Sequence, residues 1–89
     1  MYYVYILFSL KDKQFYTGYT TNLKNRLEYH KCGQVLSTST RRPLKLIFYE
    51  AYLNKLDALR REKYFKSSAG KKALKIMIKE TIKTFISHH

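Results

Sequence analysis

The chain has 89 residues, 45% hydrophobic and 16% aromatic, enough for one core and too few for two, so a single domain over residues 1–89 is expected. Eighteen lysines and arginines against six aspartates and glutamates leave a formal charge of +12, which favours a polyanionic partner such as nucleic acid over a merely lysine-rich surface. No apolar run reaches the roughly 18 residues of a membrane span, MYYVYIL lacks the marks of a signal peptide, and the lone Cys32 excludes an internal disulfide or a zinc site of its own; a cytoplasmic protein with no membrane partner is the expectation.

MYYVYILFS alternates aromatic and aliphatic residues and reads as a first strand, buried on both faces. After the polar turn SLKDKQ, QFYTGY resumes as a second strand, so the chain opens on a β-hairpin. Gly18 falls where strand gives way to helix, and reads as a structural turn or as a place where backbone approaches a phosphate. Thr21 or Asn22 can cap a helix that runs to about Lys31 and ends at Gly33. Residues 33–43, GQVLSTSTRRP, form a loop, and LKLIFYEAY is a third strand. Asn54 caps a second helix with Asp57 in its first turn, where a carboxylate suits the helix dipole. SSAG interrupts before a third helix, KKALKIMIKETIKTFI. Its Leu74, Met77, Ile78, Ile82 and Phe85 follow the spacing of a buried stripe, with Lys71, Lys72, Lys75, Lys79 and Lys83 elsewhere. The order is β-β-α-β-α-α, an α+β chain with about three helices; His88 and His89 are given no role.

Two helices carry residues suited to chemistry. On the first, Asn22, Arg26 and His30 recur every four residues, with Arg26 and His30 roughly 6 Å apart along the axis, and Leu23 and Leu27 form the adjacent stripe toward the core. An arginine fork suits a phosphate and a histidine exchanges protons near neutrality, although a solvated basic face would look the same. On the second helix, at about 100° per residue from Leu56, Glu62 falls at about 240°, between Phe65 at about 180° and Leu59 at about 300°. A carboxylate turned toward the protein body needs a cation: an arginine in a structural ion pair, or a divalent metal.

VYI at 4–6, YTG at 16–18, Arg26, His30 and Glu62, in that order, resemble the GIY-YIG nuclease superfamily. The chain is most similar to small stand-alone bacterial members related to the catalytic domain of the excision-repair nuclease, and TRRPLKLIFYE and LRREK also resemble that subgroup. The resemblance implies a three-stranded antiparallel sheet with helices around it and a site that hydrolyses phosphodiesters. Tyr5 matches the tyrosine of the first motif and Tyr16 that of the second. It further implies that Tyr5 helps deprotonate the attacking water, assisted by His30. Arg26 would stabilise charge on the scissile phosphate, and Glu62 would hold Mg²⁺ or Mn²⁺. A free tyrosine with a pKa of about 10 is a poor base near neutrality, so it needs a neighbour to share the proton.

Three departures stand out. Val4 replaces the first glycine, Thr17 replaces the isoleucine of the second motif, and Leu74 stands where many active members carry an asparagine. Thr40, Arg41 and Arg42 in the loop, with Lys24 and Lys31 on the first helix, are the candidates for holding a nucleic-acid backbone without reading its sequence. The reading is a metal-dependent DNA endonuclease of repair or recombination, whose specificity comes from a homodimer or a partner protein; the alternative is a nucleic-acid-binding module, for DNA or RNA, whose site no longer turns over.

Overall fold

The computed structural model describes residues 1–86; His88 and His89 lie outside the described residues. Strands β1 (Tyr2–Ser9) and β2 (Phe15–Thr20) form the hairpin, followed by α1 (Leu23–Lys31), a single 3-10 turn (Ser39–Arg41), β3 (Leu44–Tyr52), α2 (Lys55–Lys66), α3 (Ser68–Met77) and α4 (Lys79–Ile86). The sheet has the order β2-β1-β3 with both pairings antiparallel. The architecture is therefore the expected α+β one, with four helices rather than three among the described residues.

A central strand with neighbours on both edges and layers on both faces must be apolar throughout, and Val4 to Ser9 are all buried. Val4 and Ile6 point to α2 and α3, where they meet Ala58, Phe65, Leu74 and Ile78. Tyr5 and Leu7 alternate to the opposite face, under α1 and the 32–43 loop. Each such side chain contributes roughly 1.5–3 kcal/mol on burial.

The helix starts follow the local chemistry. Asn22 Oδ1 accepts the Asn25 amide at 3.1 Å and Asn54 Oδ1 accepts that of Leu56 at 2.8 Å, caps worth about 1 kcal/mol each. The SSAG segment shrinks to a one-residue hinge. Ser67 ends α2 through its amide to the Tyr64 carbonyl and caps α3 by accepting the Gly70 amide at 3.1 Å. Gly70 lies against the end of α2 so closely that a Cβ would sit 1.8 Å from the Tyr64 oxygen, which is why α3 can begin there at all.

The expected third helix breaks at Ile78, which stays buried while α4 turns to bring Phe85 to 6.1 Å from Phe8. One straight helix would carry that stripe past the end of the sheet. Met77, expected in the stripe, is instead exposed and touched by the Arg61 guanidinium at 3.7 Å. On α1 the order of burial is also reversed: Leu23 and Leu27 are half-buried and His30 is buried. Among the described residues, no helix is long and apolar enough to cross a membrane.

Candidate functional site

Tyr5 projects from the central strand and His30 from the last turn of α1, and the two meet with the phenol oxygen 2.7 Å from His30 Nε2. The far side of the imidazole is held as well, with Nδ1 2.7 Å from Thr38 Oγ1. The Thr38 hydroxyl donates to the Val35 carbonyl at 3.4 Å, so its lone pairs face the histidine and accept from Nδ1–H. Nε2 is then bare and accepts from Tyr5. The result is a buried chain of donors running from Tyr5 through His30 and Thr38 to Val35, with Tyr5 and His30 each 1% exposed and Thr38 fully buried.

Tyr16 completes an aromatic cage, its ring 5.3 Å from that of His30 and 6.4 Å from that of Tyr5, and its hydroxyl accepts from Ser37 at 3.3 Å. Unlike Tyr5, it is only half-buried. Burial pushes the Tyr5 phenol well above its ordinary range; Tyr16 and Glu62 add to the rise and Arg26 opposes it. Burial, then the Arg26 charge, lowers His30 to about 4. At neutral pH both partners are therefore uncharged, and the histidine is available as a proton acceptor.

Arg26 and Glu62 come from different helices, yet both act electrostatically on Tyr5. No carboxylate pairs with Arg26 among the described residues, although it is half-buried. Among the described residues half-buried Glu62 forms one ion pair, an i,i+4 contact at 3.2 Å with the exposed Lys66, of the kind that contributes little. The arginine partner considered for Glu62 is not formed: Arg60 pairs with Asp57 and Arg61 with Glu50. No three metal-ligating side chains converge among the described residues. A single carboxylate would fit Mg²⁺ or Mn²⁺, which complete their shells with water and other oxygens, and does not fit a structural zinc.

Gly18 is not at a turn. It sits inside β2, directly opposite Tyr5, and is buried. A Cβ there would lie 2.3 Å from both the Tyr5 Cζ and its hydroxyl oxygen, so the residue is glycine because the phenol lies flat across its backbone. The close approach that the sequence hinted at is to a side chain of the site itself.

The loop arginines also differ from expectation. Arg41 Nε bonds Asp12 at 2.6 Å and its Nη2 reaches the Phe15 carbonyl, holding the Asp12 carboxyl down at about 2. Arg42 donates to the carbonyls of Ser39 and Lys31. Both guanidiniums fasten the 32–43 loop, Arg41 to the hairpin and Arg42 to the end of α1, and so fix Thr38 beneath His30. Thr40, Lys24 and Lys31 are exposed. Thr38 escaped the sequence reading. STST advertises local hydroxyl chemistry, but which hydroxyl turns inward depends on the path of the loop. Leu74, at the position of the missing asparagine, is 1% exposed and part of the core.

Comparison with known proteins places the chain in a family. The family model described as the GIY-YIG catalytic domain matches residues 1–75. A UPF0213 protein of Staphylococcus haemolyticus is 42% identical over 76 residues, covering 84% of this chain and 92% of that one. Another, of Clostridium perfringens, is 40% identical over 85 residues, covering 93% and 89%. The solution structure of a UPF0213 protein from Bacillus halodurans is 37% identical and superposes with a TM-score of 0.55 over 86% of this chain and 85% of that one. With motif order, sheet topology and sequence in accord over most of its length, the chain belongs to the GIY-YIG family, among the small proteins related to UPF0213.

Proposed function

We propose that this protein is a divalent-metal-dependent endonuclease that hydrolyses DNA phosphodiester bonds by water attack, acting in the cytoplasm in repair or recombination. The observation that carries the proposal is the Tyr5–His30–Thr38 hydrogen-bond chain, with Arg26, which has no carboxylate partner among the described residues, and Glu62, paired there only with Lys66, acting on Tyr5. The attacking water gives its proton to the Tyr5 oxygen as Tyr5 passes its own to His30 Nε2. The water oxygen bonds to phosphorus, the bond to the leaving oxygen breaks, and that oxygen takes a proton from solvent. Thr38 holds Nδ1–H and so keeps Nε2 free to accept. Arg26 faces the charge that builds on the phosphoryl oxygens.

The lowered pKa of His30 opposes the transfer in the free protein. The negative charge of a bound phosphate favours the imidazolium and raises the His30 pKa again toward its ordinary range. Glu62 would hold Mg²⁺ or Mn²⁺, which supplies charge neutralisation and an acidified water when bound. Preference among DNA sites comes from a second copy or a partner protein.

A second reading, an inactive nucleic-acid-binding module for DNA or RNA, draws on the buried Leu74 and on the burial of Tyr5. Nicking of supercoiled plasmid with Mg²⁺, Mn²⁺ or EDTA, beside Glu62→Ala and Tyr5→Phe, separates the two. Metal-dependent nicking lost in both variants is expected of the nuclease. Absence of nicking, with salt-sensitive binding unchanged in Glu62→Ala, establishes the module instead.

A further inference from the structure

A row of lysines stands away from the tyrosines. Lys71, Lys75, Lys79 and Lys83, spaced four residues apart along α3 and α4, line one side of a groove of about 540 Å³. Lys13 and Gln14 of the hairpin turn stand across from them, and Phe8, Phe15 and Ile82 form the apolar floor. A smaller depression of about 210 Å³ shares Phe15 and Lys71 with this groove and adds Tyr16 and Lys66. The two depressions thus adjoin at the β2 edge of the sheet, and Tyr16 belongs both to the smaller one and to the aromatic cage.

No carboxylate lines either depression. Of the acids nearby, Asp12 pairs with Arg41 and Glu80 with Lys83 at 3.7 Å, while Glu62 keeps its weak contact with Lys66. Lys13, Lys71, Lys75 and Lys79 are exposed and form no ion pair among the described residues. Like charges four residues apart destabilise a helix, and Lys71 and Lys75 on α3, like Lys79 and Lys83 on α4, stand roughly 6 Å apart along their helix. An elongated polyanion lying in the groove relieves that repulsion. A small anion would leave the apolar floor unused. An anionic membrane calls for an apolar face that protrudes, whereas Phe8, Phe15 and Ile82 sit at the bottom of a concavity.

We infer that this groove carries the nucleic-acid strand beyond the scissile phosphate, with the lysines of α3 and α4 and Lys13 on its phosphates and Phe15 and Ile82 against its sugars and bases. The inference rests on reading the Tyr5–His30 region as a phosphodiester site. It makes recognition one-sided: the protein grips several nucleotides on one side of the cut, independently of sequence.

The test compares Lys71→Ala/Lys75→Ala/Lys79→Ala with Lys55→Ala/Lys63→Ala/Lys72→Ala, which removes equal charge from exposed positions outside the groove. Binding is read without metal by fluorescence anisotropy, using a DNA oligonucleotide about 20 nucleotides long, single-stranded and as a duplex, since binding sites span about 4–16 nucleotides. The groove variant is expected to bind at least about tenfold more weakly at roughly 100 mM salt, with a salt slope shallower by about 2 for three lost phosphate contacts. The control variant should keep most of the affinity and the full slope. Equal losses in the two variants would reduce the effect to net charge and overturn the inference, as would unchanged binding. Phosphatidylserine vesicles form the third arm: vesicle binding that depends on the groove while DNA binding does not would also overturn it. If the unmodified protein fails to nick with any metal yet binding still depends on the groove, the nuclease reading falls and the strand path stands; nicking with groove-independent binding gives the reverse.

Discussion

Two polar clusters flank the same central strand and are built on opposite principles. On the α2 face, Glu50 accepts Arg61 Nε at 2.9 Å and Nη2 at 3.2 Å together with the Tyr52 hydroxyl at 2.6 Å. Arg61 also lies over the Phe65 ring at 4.3 Å, and burial followed by Glu50 pushes Tyr52 up to about 12. Every charge there is answered by a neighbour. On the α1 face the hydrogen bonds are equally complete, but they join neutral groups, while among the described residues Arg26 has no carboxylate partner and Glu62 of α2, which acts electrostatically on Tyr5, pairs only with Lys66. Charges that satisfy one another stabilise a fold; charges left over in a partly dry place await something else. The first cluster should respond to mutation in stability and the second in activity.

The sharpest way to break this contrast is at the unanswered charges. Glu62→Ala and Arg26→Ala are expected to lower the nicking rate by about 10²–10³-fold while leaving the thermal midpoint nearly unchanged. A large loss of stability in either would mean that the charge has a structural partner after all. Gly18→Ala comes next, because its Cβ enters the space of the Tyr5 phenol. Overpacking of this kind costs about 1–3 kcal/mol, and chemical denaturation should show it together with a collapse of nicking. Thr38→Val leaves the buried His30 Nδ1–H without an acceptor, at a cost of about 1–3 kcal/mol; activity should fall, and Thr38→Ser should recover both.

Smaller effects test the structural side. Glu50→Gln strips the carboxylate from Arg61 and should lower unfolding free energy by about 2 kcal/mol, with unchanged nicking per folded molecule. A probe that needs no substitution is pH. His30 is lower in the folded protein than its ordinary 6.5, so the unfolded chain binds the proton more readily. Its contribution to stability is complete above about 6.5 and is lost as pH falls toward about 4. Melting curves across that window should decline more steeply for the unmodified protein than for His30→Asn.

How much of this was legible depended on the range of the interaction. Asn22 and Asn54 were readable as caps because an N-cap acts within three residues, and β1 was readable as doubly buried because its composition leaves no polar face. Tyr5, Tyr16, Arg26, His30 and Glu62 were legible as a set only through motif order, and the fold brings Tyr5, Tyr16 and His30 into one cage with Arg26 and Glu62 within electrostatic reach. Gly18 was misplaced at a turn because a strand glycine and a turn glycine look alike until the opposing residue is known. Arg41 and Arg42 were assigned to a ligand because sequence shows a cation and not the carboxylate or carbonyl that engages it.

By itself the sequence determined the order of the elements, the buried central strand, the helix caps and the excess of positive charge, since each follows from local periodicity, local hydrogen bonding or composition. Only the tertiary structure decided that Thr38 orients His30, that Gly18 makes room for Tyr5, that the last helix breaks at Ile78, and that four lysines face the hairpin across one groove. Those are meetings of residues far apart along the chain. They depend on the packing of helices and loop against the sheet, which no short stretch of sequence contains.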